Sequence, residues 1–255
     1  MKISLIHVLG AVLTIGVRLS GVMLFAPFFG SSVIAIRIKA MFVLAMTALL
    51  YPMVGSQIPA MAISQWPLVI FSELTIGMGV GIVLNLVFDG VQMAGQVLSV
   101  QMGYSLANIM DPQSMVDSTV MAMFHQTIAM LIFLRLDVHL WILRALTHSF
   151  DYLPVSTGHF SAAFTTYLLR AGAGVFATGI QIAAPVLAAT LLADMALGLL
   201  GKASPQLPLM ILGPAVKSIL GLLVLIAALK YWPDMFRNMF ISSMDQTERL
   251  LHLAR

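Results

Sequence analysis

Six long apolar runs decide what this chain can fold into. They cover roughly 5–29, 40–62, 66–89, 119–146, 168–200 and 206–231. Each is near or above the ~20 residues that a helix needs to cross a hydrocarbon layer. Hydrophobic residues make up 60% of the sequence and charged residues only 9%, whereas a soluble domain carries about a quarter charged residues. Such a chain cannot clothe its surface in polar groups. The pattern predicts an all-α protein that is integral to, or closely associated with, a membrane.

Prolines 27, 52, 67, 154, 205 and 233 fall near the ends of the runs, where proline is an ordinary helix boundary. Pro185 lies inside the fifth run and is expected to kink or break it. Lys2 precedes an apolar stretch that Arg18 interrupts, with no clear small-x-small cleavage site after it. The reading is a retained first helix rather than a removed signal. Only Gly201-Lys202-Ala203-Ser204-Pro205 separates the last two runs, which predicts a tight antiparallel hairpin. From Pro233 to Arg255 the chain is amphipathic, with Phe236, Phe240, Met244 and Leu251 on one face.

Topology does not close on six crossings. Basic residues favour the cytoplasmic side, and they sit in the Arg37/Lys39 loop, at Lys202 and in the tail. Six crossings put the first two on one side and the tail on the other. Either one run does not cross, or the helices are not ordinary lipid-embedded spans. Charges within the runs carry the same message. Arg18, Glu73, Arg135, Asp137, Arg170, Asp194 and Lys217 all lie in or near apolar segments, where a charge costs about 2.5–3.5 kcal/mol on insertion scales. Snorkelling suits Arg135 and Asp137. Arg18, Glu73 and Lys217 are expected to be buried charges satisfied by partner helices, a channel or water.

The stretch from Gly95 to Pro112 is too polar for lipid and too apolar for a solvated loop. Gly95, Ser99, Gly103 and Ala107 recur every fourth residue. In a helix they would form a smooth face for close backbone approach. Asp111-Pro112 ends the run, since the residue before proline leaves helical geometry.

Catalytic chemistry finds little footing. Gly77-x-Gly79-x-Gly81 lies inside an apolar helical run without a preceding strand, so it reads as close helix packing rather than a phosphate loop. Gly172-Ala173-Gly174 and Gly179 are read the same way. The six histidines show no metal-ligand spacing, and no nucleophile elbow is present. There is no cysteine, hence no disulfide framework or thiolate. The net charge of +3 comes from scattered residues and gives no nucleic-acid patch. No cofactor or metal is expected.

Five patches, in order, resemble the FliR family of flagellar biosynthetic proteins, represented in injectisomes by the equivalent export-apparatus subunit. They are Arg18-Leu-Ser-Gly21 through Pro27 to Gly30; Glu73 to Gly77 and Gly81 with Phe88; Ala94-Gly95-Gln96 through Gln101-Met102-Gly103 to Asp111-Pro112; Ser149-Phe150 with Pro154; and Pro205-Gln206 with Gly213-Pro214 and Lys217. Pro208 stands where such sequences often carry asparagine.

The resemblance implies a non-enzymatic channel subunit of the type III export gate for unfolded flagellar proteins. It would work with P, Q and B subunits in the bacterial inner membrane at the flagellar basal body. It implies a P-like portion over 1–165, a Q-like hairpin over 166–231 and a tail over 232–255, with much of the assembly above the plane of ordinary spans. It also implies a pore plug around 106–122, centred on Leu106, Ala107, Asn108, Ile109, Met110, Asp111, Pro112, Gln113, Ser114, Met115, Val116 and Asp117. An injectisome subunit and a small-solute secondary transporter are the alternatives. Intramembrane charges and an interrupted fifth run would favour the transporter.

Overall fold

A computed structural model describes residues 5–27, 29–30, 34–55, 58, 63–104, 119–155, 162–204, 206 and 208–254. Among them are eight α-helices and no strand. The helices are α1 (Leu5–Phe25), α2 (Ile36–Val54), α3 (Trp66–Gln101), α4 (Val120–Arg135), α5 (Val138–Tyr152), α6 (Ala162–Ala203), α7 (Leu209–Leu229) and α8 (Trp232–Leu253). A 3-10 turn, Ile63–Gln65, leads into α3.

Five helices are long and apolar enough to cross a membrane, rather than six. The fourth apolar run divides at Asp137, which takes a left-handed backbone (φ 55°) between α4 and α5. Aspartate tolerates that conformation better than the apolar residues around it. What remains apolar, α4, has 16 residues and is about 24 Å long at 1.5 Å per residue, short of a ~30 Å hydrocarbon core. Its sequel α5 buries Val138, Ile142, Leu146 and Phe150 and exposes Arg144, His148 and Asp151. Counted as five crossings, the sequence would put the basic start of α2 and the tail on one side and Lys2 and Lys202 on the other.

Pro185 does not break the fifth run. The 42-residue α6 continues through it, as long apolar helices can when neighbouring groups take up the freed carbonyl. Likewise α3, 36 residues long, runs past the expected end of the third segment at 89 and on to Gln101. At 1.5 Å per residue these two helices are about 63 and 54 Å long, well beyond one bilayer core.

The chain forms two compact units. The first comprises Met1–Leu86, Asp137–Gly172 and Phe240–Arg255, and the second Val87–Leu136 and Ala173–Met239. In the first, α1 buries Ala11, Ile15, Leu19 and Val22, a helical stripe of one face. α2 packs back along it, with Gly16 beside Thr47 and Phe29 against Phe42 at 5.2 Å. α3 crosses α1 with backbone nearly touching backbone. A Cβ on Gly21 would lie 2.6 Å from the Leu74 carbonyl, and one on Gly81 would lie 2.9 Å from that of Val22. Gly77 is tighter still against the Arg18 carbonyl. The GxxxG pair thus does the packing read from its spacing. Gly172 and Gly174 depart from that reading: a Cβ on either would meet nothing within 4 Å.

In the second unit the end of α3 and α4 form an antiparallel pair, with Gly95 against Ala122 and Phe88 edge-on to Phe133 at 5.5 Å. α6 and α7 form another, with Leu197 beside Gly213 and Asp194 beside Lys217. The first turns of α8 bury Trp232 and Phe236, whose rings meet edge-on.

Candidate functional site

The described part of the central polar segment, Gly95–Tyr104, begins in the α3–α4 pair. Gly95 makes the pair possible, because a Cβ there would sit 2.8 Å from the Ala122 nitrogen and 2.9 Å from the Met121 carbonyl. Ser99, one turn on, is fully buried, and its hydroxyl has no partner among the described residues. Gly103 is not on this face. Helix α3 stops at Gln101, and Gly103 closes it with φ +85° while its N–H donates to the Val100 carbonyl at 3.1 Å. This is the left-handed termination that glycine permits at least cost. Small residues every fourth position therefore mark a packed helix face only through Ser99. Ala107 and the rest of the expected plug, Leu106, Asn108, Ile109, Met110, Asp111, Pro112, Gln113, Ser114, Met115, Val116 and Asp117, lie outside the described residues. Downstream, Thr119 caps α4 by accepting from the Ala122 N–H at 3.3 Å.

Four consecutive residues at the end of α3 each find a partner on α6 or α7. Gln101 donates to Asp194 Oδ2 at 3.2 Å, and Lys217 Nζ holds Asp194 Oδ1 at 3.0 Å. Met102 fills the space over Gly221, where a Cβ would meet its side chain at 2.8–2.9 Å. Gly103 lies against Pro214, and the Tyr104 hydroxyl accepts from Ser218 Oγ at 2.6 Å. Pro214, Lys217, Ser218 and Gly221 share one stripe of α7, as their spacing requires. Lys217 is only partly buried, 19% exposed against 42% for Asp194. Its charge is met by the carboxylate of Asp194 on the neighbouring helix.

Arg18 and Glu73 are the enclosed pair. Their side chains are 1% and 0% exposed, with Nε 2.5 Å from Oε2. Arg18 also donates to the carbonyls of Ser149 at 3.1 Å and Leu153 at 3.0 Å, and its guanidinium lies 4.2 Å from the Phe150 ring centre. Those carbonyls belong to the end of α5: that of Ser149 also accepts from the Leu153 N–H at 3.0 Å, and Leu153 itself is the residue that closes the helix. One guanidinium thus ties α1, α3 and α5. Its planar fork serves the three acceptors from three different nitrogens, whereas an ammonium would need all three to converge on one atom. The Gly77 contact brings the backbones of α1 and α3 close enough for the pair to form.

His125 is buried beside Trp232, ring centres 5.1 Å apart, and its Nδ1 contacts the Met121 carbonyl at 2.7 Å. Among the described residues no group of three histidine, aspartate or glutamate side chains is placed to hold a metal ion.

Residues 9–243 match the family described as bacterial export proteins, family 1. The chain belongs to that family. Membership in the bacterial export proteins sets it among non-enzymatic membrane proteins of protein export. It is 26% identical over 255 residues to the flagellar biosynthetic protein FliR of Bacillus subtilis, covering 98% of both chains. It is 29% identical over 231 residues to that of Pectobacterium carotovorum, covering 90% of this chain and 88% of the relative. A third relative, from Caulobacter vibrioides, is 26% identical over 228 residues, covering 87% of this chain and 91% of its own. All three are named flagellar biosynthetic protein FliR.

Asp194, Gln101 and the α5 carbonyls are absent from the site residues chosen from sequence. Asp194 is visible there as a charge in an apolar run. Its pairing with Lys217, 23 residues away, is a consequence of the hairpin, and Gln101 joins it only through tertiary packing.

Proposed function

We propose that this chain is a core channel subunit of the flagellar type III protein export gate, acting in the bacterial inner membrane at the flagellar basal body. Its work is to let unfolded export substrates pass, in company with P, Q and B subunits. The observation that carries this reading is the likeness to flagellar FliR proteins along nearly the whole chain. Residues 1–165 make up the P-like portion, 166–231 the Q-like hairpin and 232–255 the tail.

Within that function, the pore plug lies around 106–122, centred on Leu106–Asp117, the last three residues of that range being the first of α4. Its place in the chain supports this, between α3 and α4, whose backbones meet at Gly95 and Ala122. Its chemistry supports it too. Asp111 and Asp117 need water rather than lipid, while Met110 and Met115 supply soft contacts that adapt to varied chains. The small-solute transporter loses its main structural support, because α6 is unbroken at Pro185.

Deleting residues 106–117 leaves the Thr119 cap and the Gly95 contact in place. The complex should assemble in normal amounts yet leak small ions in a membrane-conductance assay. A deleted complex as tight as the wild type would refute the plug.

A further inference from the structure

We propose that Asp194 and Lys217 are positioning residues, which fix the end of α3 and so the point from which the chain enters the plug segment. This rests on the plug reading above.

The two ends of that segment are held differently. At Thr119 the polar contact is local, a cap within α4. At Gln101–Tyr104 every residue is held from another element, through Asp194, Gly221, Pro214 and Ser218. Asp194 is the hub, since both Gln101 and Lys217 reach its carboxylate. It shares a face of α6 with Leu191, three residues before it and 55% exposed. A carboxylate is a costly residue on such a face, and apolar packing would hold two helices together without it. What a carboxylate adds is direction: it takes a lysine from α7 and an amide from α3 in one fixed arrangement. The left-handed Gly103 then turns the chain at a set angle, and the Tyr104–Ser218 bond holds it after the turn.

The chain has no cysteine, so a cross-link can report the arrangement directly. A Cβ at position 221 would lie 2.9 Å from Met102 Cγ, so with Met102→Cys and Gly221→Cys the two Cβ atoms would be no further apart than the about 4.5 Å upper end of disulfide geometry. In membranes holding the assembled complex, this pair should oxidise rapidly. Asp194→Leu should slow it by about threefold or more, the scale of a partly exposed ion pair. Exchanging the charges, Asp194→Lys with Lys217→Asp, should restore the rate. Tyr104→Phe, a single lost hydroxyl that threatens no fold, should slow it by a smaller factor.

Small-ion leak is the second readout. Asp194→Leu should raise it, oxidation of the 102–221 pair should lower it again, and reduction should release it. An unchanged cross-linking rate in both Asp194→Leu and Tyr104→Phe overturns the proposal. So does a slowed rate with no leak, if deletion of 106–117 does leak; the plug reading then survives. If the deletion itself does not leak, the plug reading fails and takes the positioning role with it.

Discussion

Arg18–Glu73 and Lys217–Asp194 are both ion pairs set in long apolar helices, and they are built in opposite ways. The first is sealed, with both side chains at or below 1% exposure and every guanidinium nitrogen engaged. The second is open, with Asp194 at 42%. Enclosure makes a pair costly to form and more costly to break, because a charge left alone has neither water nor partner. An open pair is cheap to lose, so its value lies in geometry rather than in stability. One pair holds helices together, and the other sets where a helix ends.

Removing one member of each pair tests that difference. Arg18→Met or Glu73→Leu should destabilise the protein by about 3–5 kcal/mol, read as a fall in denaturant midpoint in detergent. The double variant Arg18→Met with Glu73→Leu should recover much of the loss, since no charge is left stranded. If the double variant is as weak as the singles, the α5 carbonyls that Arg18 serves matter more than Glu73 does. Next in size are the glycines. Gly77→Leu drives a side chain into the Arg18 carbonyl and should cost at least the about 1–3 kcal/mol of overpacking. Gly172→Leu, with open space around it, should change thermal stability little. Equal losses at both would break the link between the α1–α3 crossing and the sealed pair. Smallest is Lys217→Met, which should cost about 0.2–1 kcal/mol, as exposed pairs do, and leave the unfolding midpoint nearly unchanged. A loss as large as that of Arg18→Met would erase the distinction.

The two pairs also differ in how far sequence reveals them. Arg18 and Glu73 stand out as charges in apolar runs, and the glycines at 21, 77 and 81 make a close crossing legible as well. What spacing cannot supply is the third party, the end of α5, because Ser149 and Leu153 lie 131 and 135 residues beyond Arg18. Lys217 stands out equally, but its carboxylate partner on α6 and its 19% exposure follow from the hairpin and not from spacing. The unsatisfied topology arithmetic left two readings open, a run that does not cross or helices that are not ordinary spans, and Arg135 and Asp137 lie where the fourth run divides. Snorkelling accounted for those charges as easily as a helix break did, and only the backbone of Asp137 separates the two. At the candidate site, Gly95 is legible as a contact residue. Gly103 looks identical in spacing yet ends the helix, because periodicity carries no record of the sign of φ.

Arg18 also has a history during synthesis. Its carboxylate partner lies 55 residues later and its carbonyl partners more than twice as far. At the ~5–20 residues per second of translation, the guanidinium waits about 3–11 s for Glu73 and roughly 7–27 s for the end of α5. Throughout that interval the first helix carries a cation with no internal counter-charge. A nascent chain stalled before residue 73 should therefore hold α1 loosely, near water or an assisting factor, and secure it only once α3 has emerged.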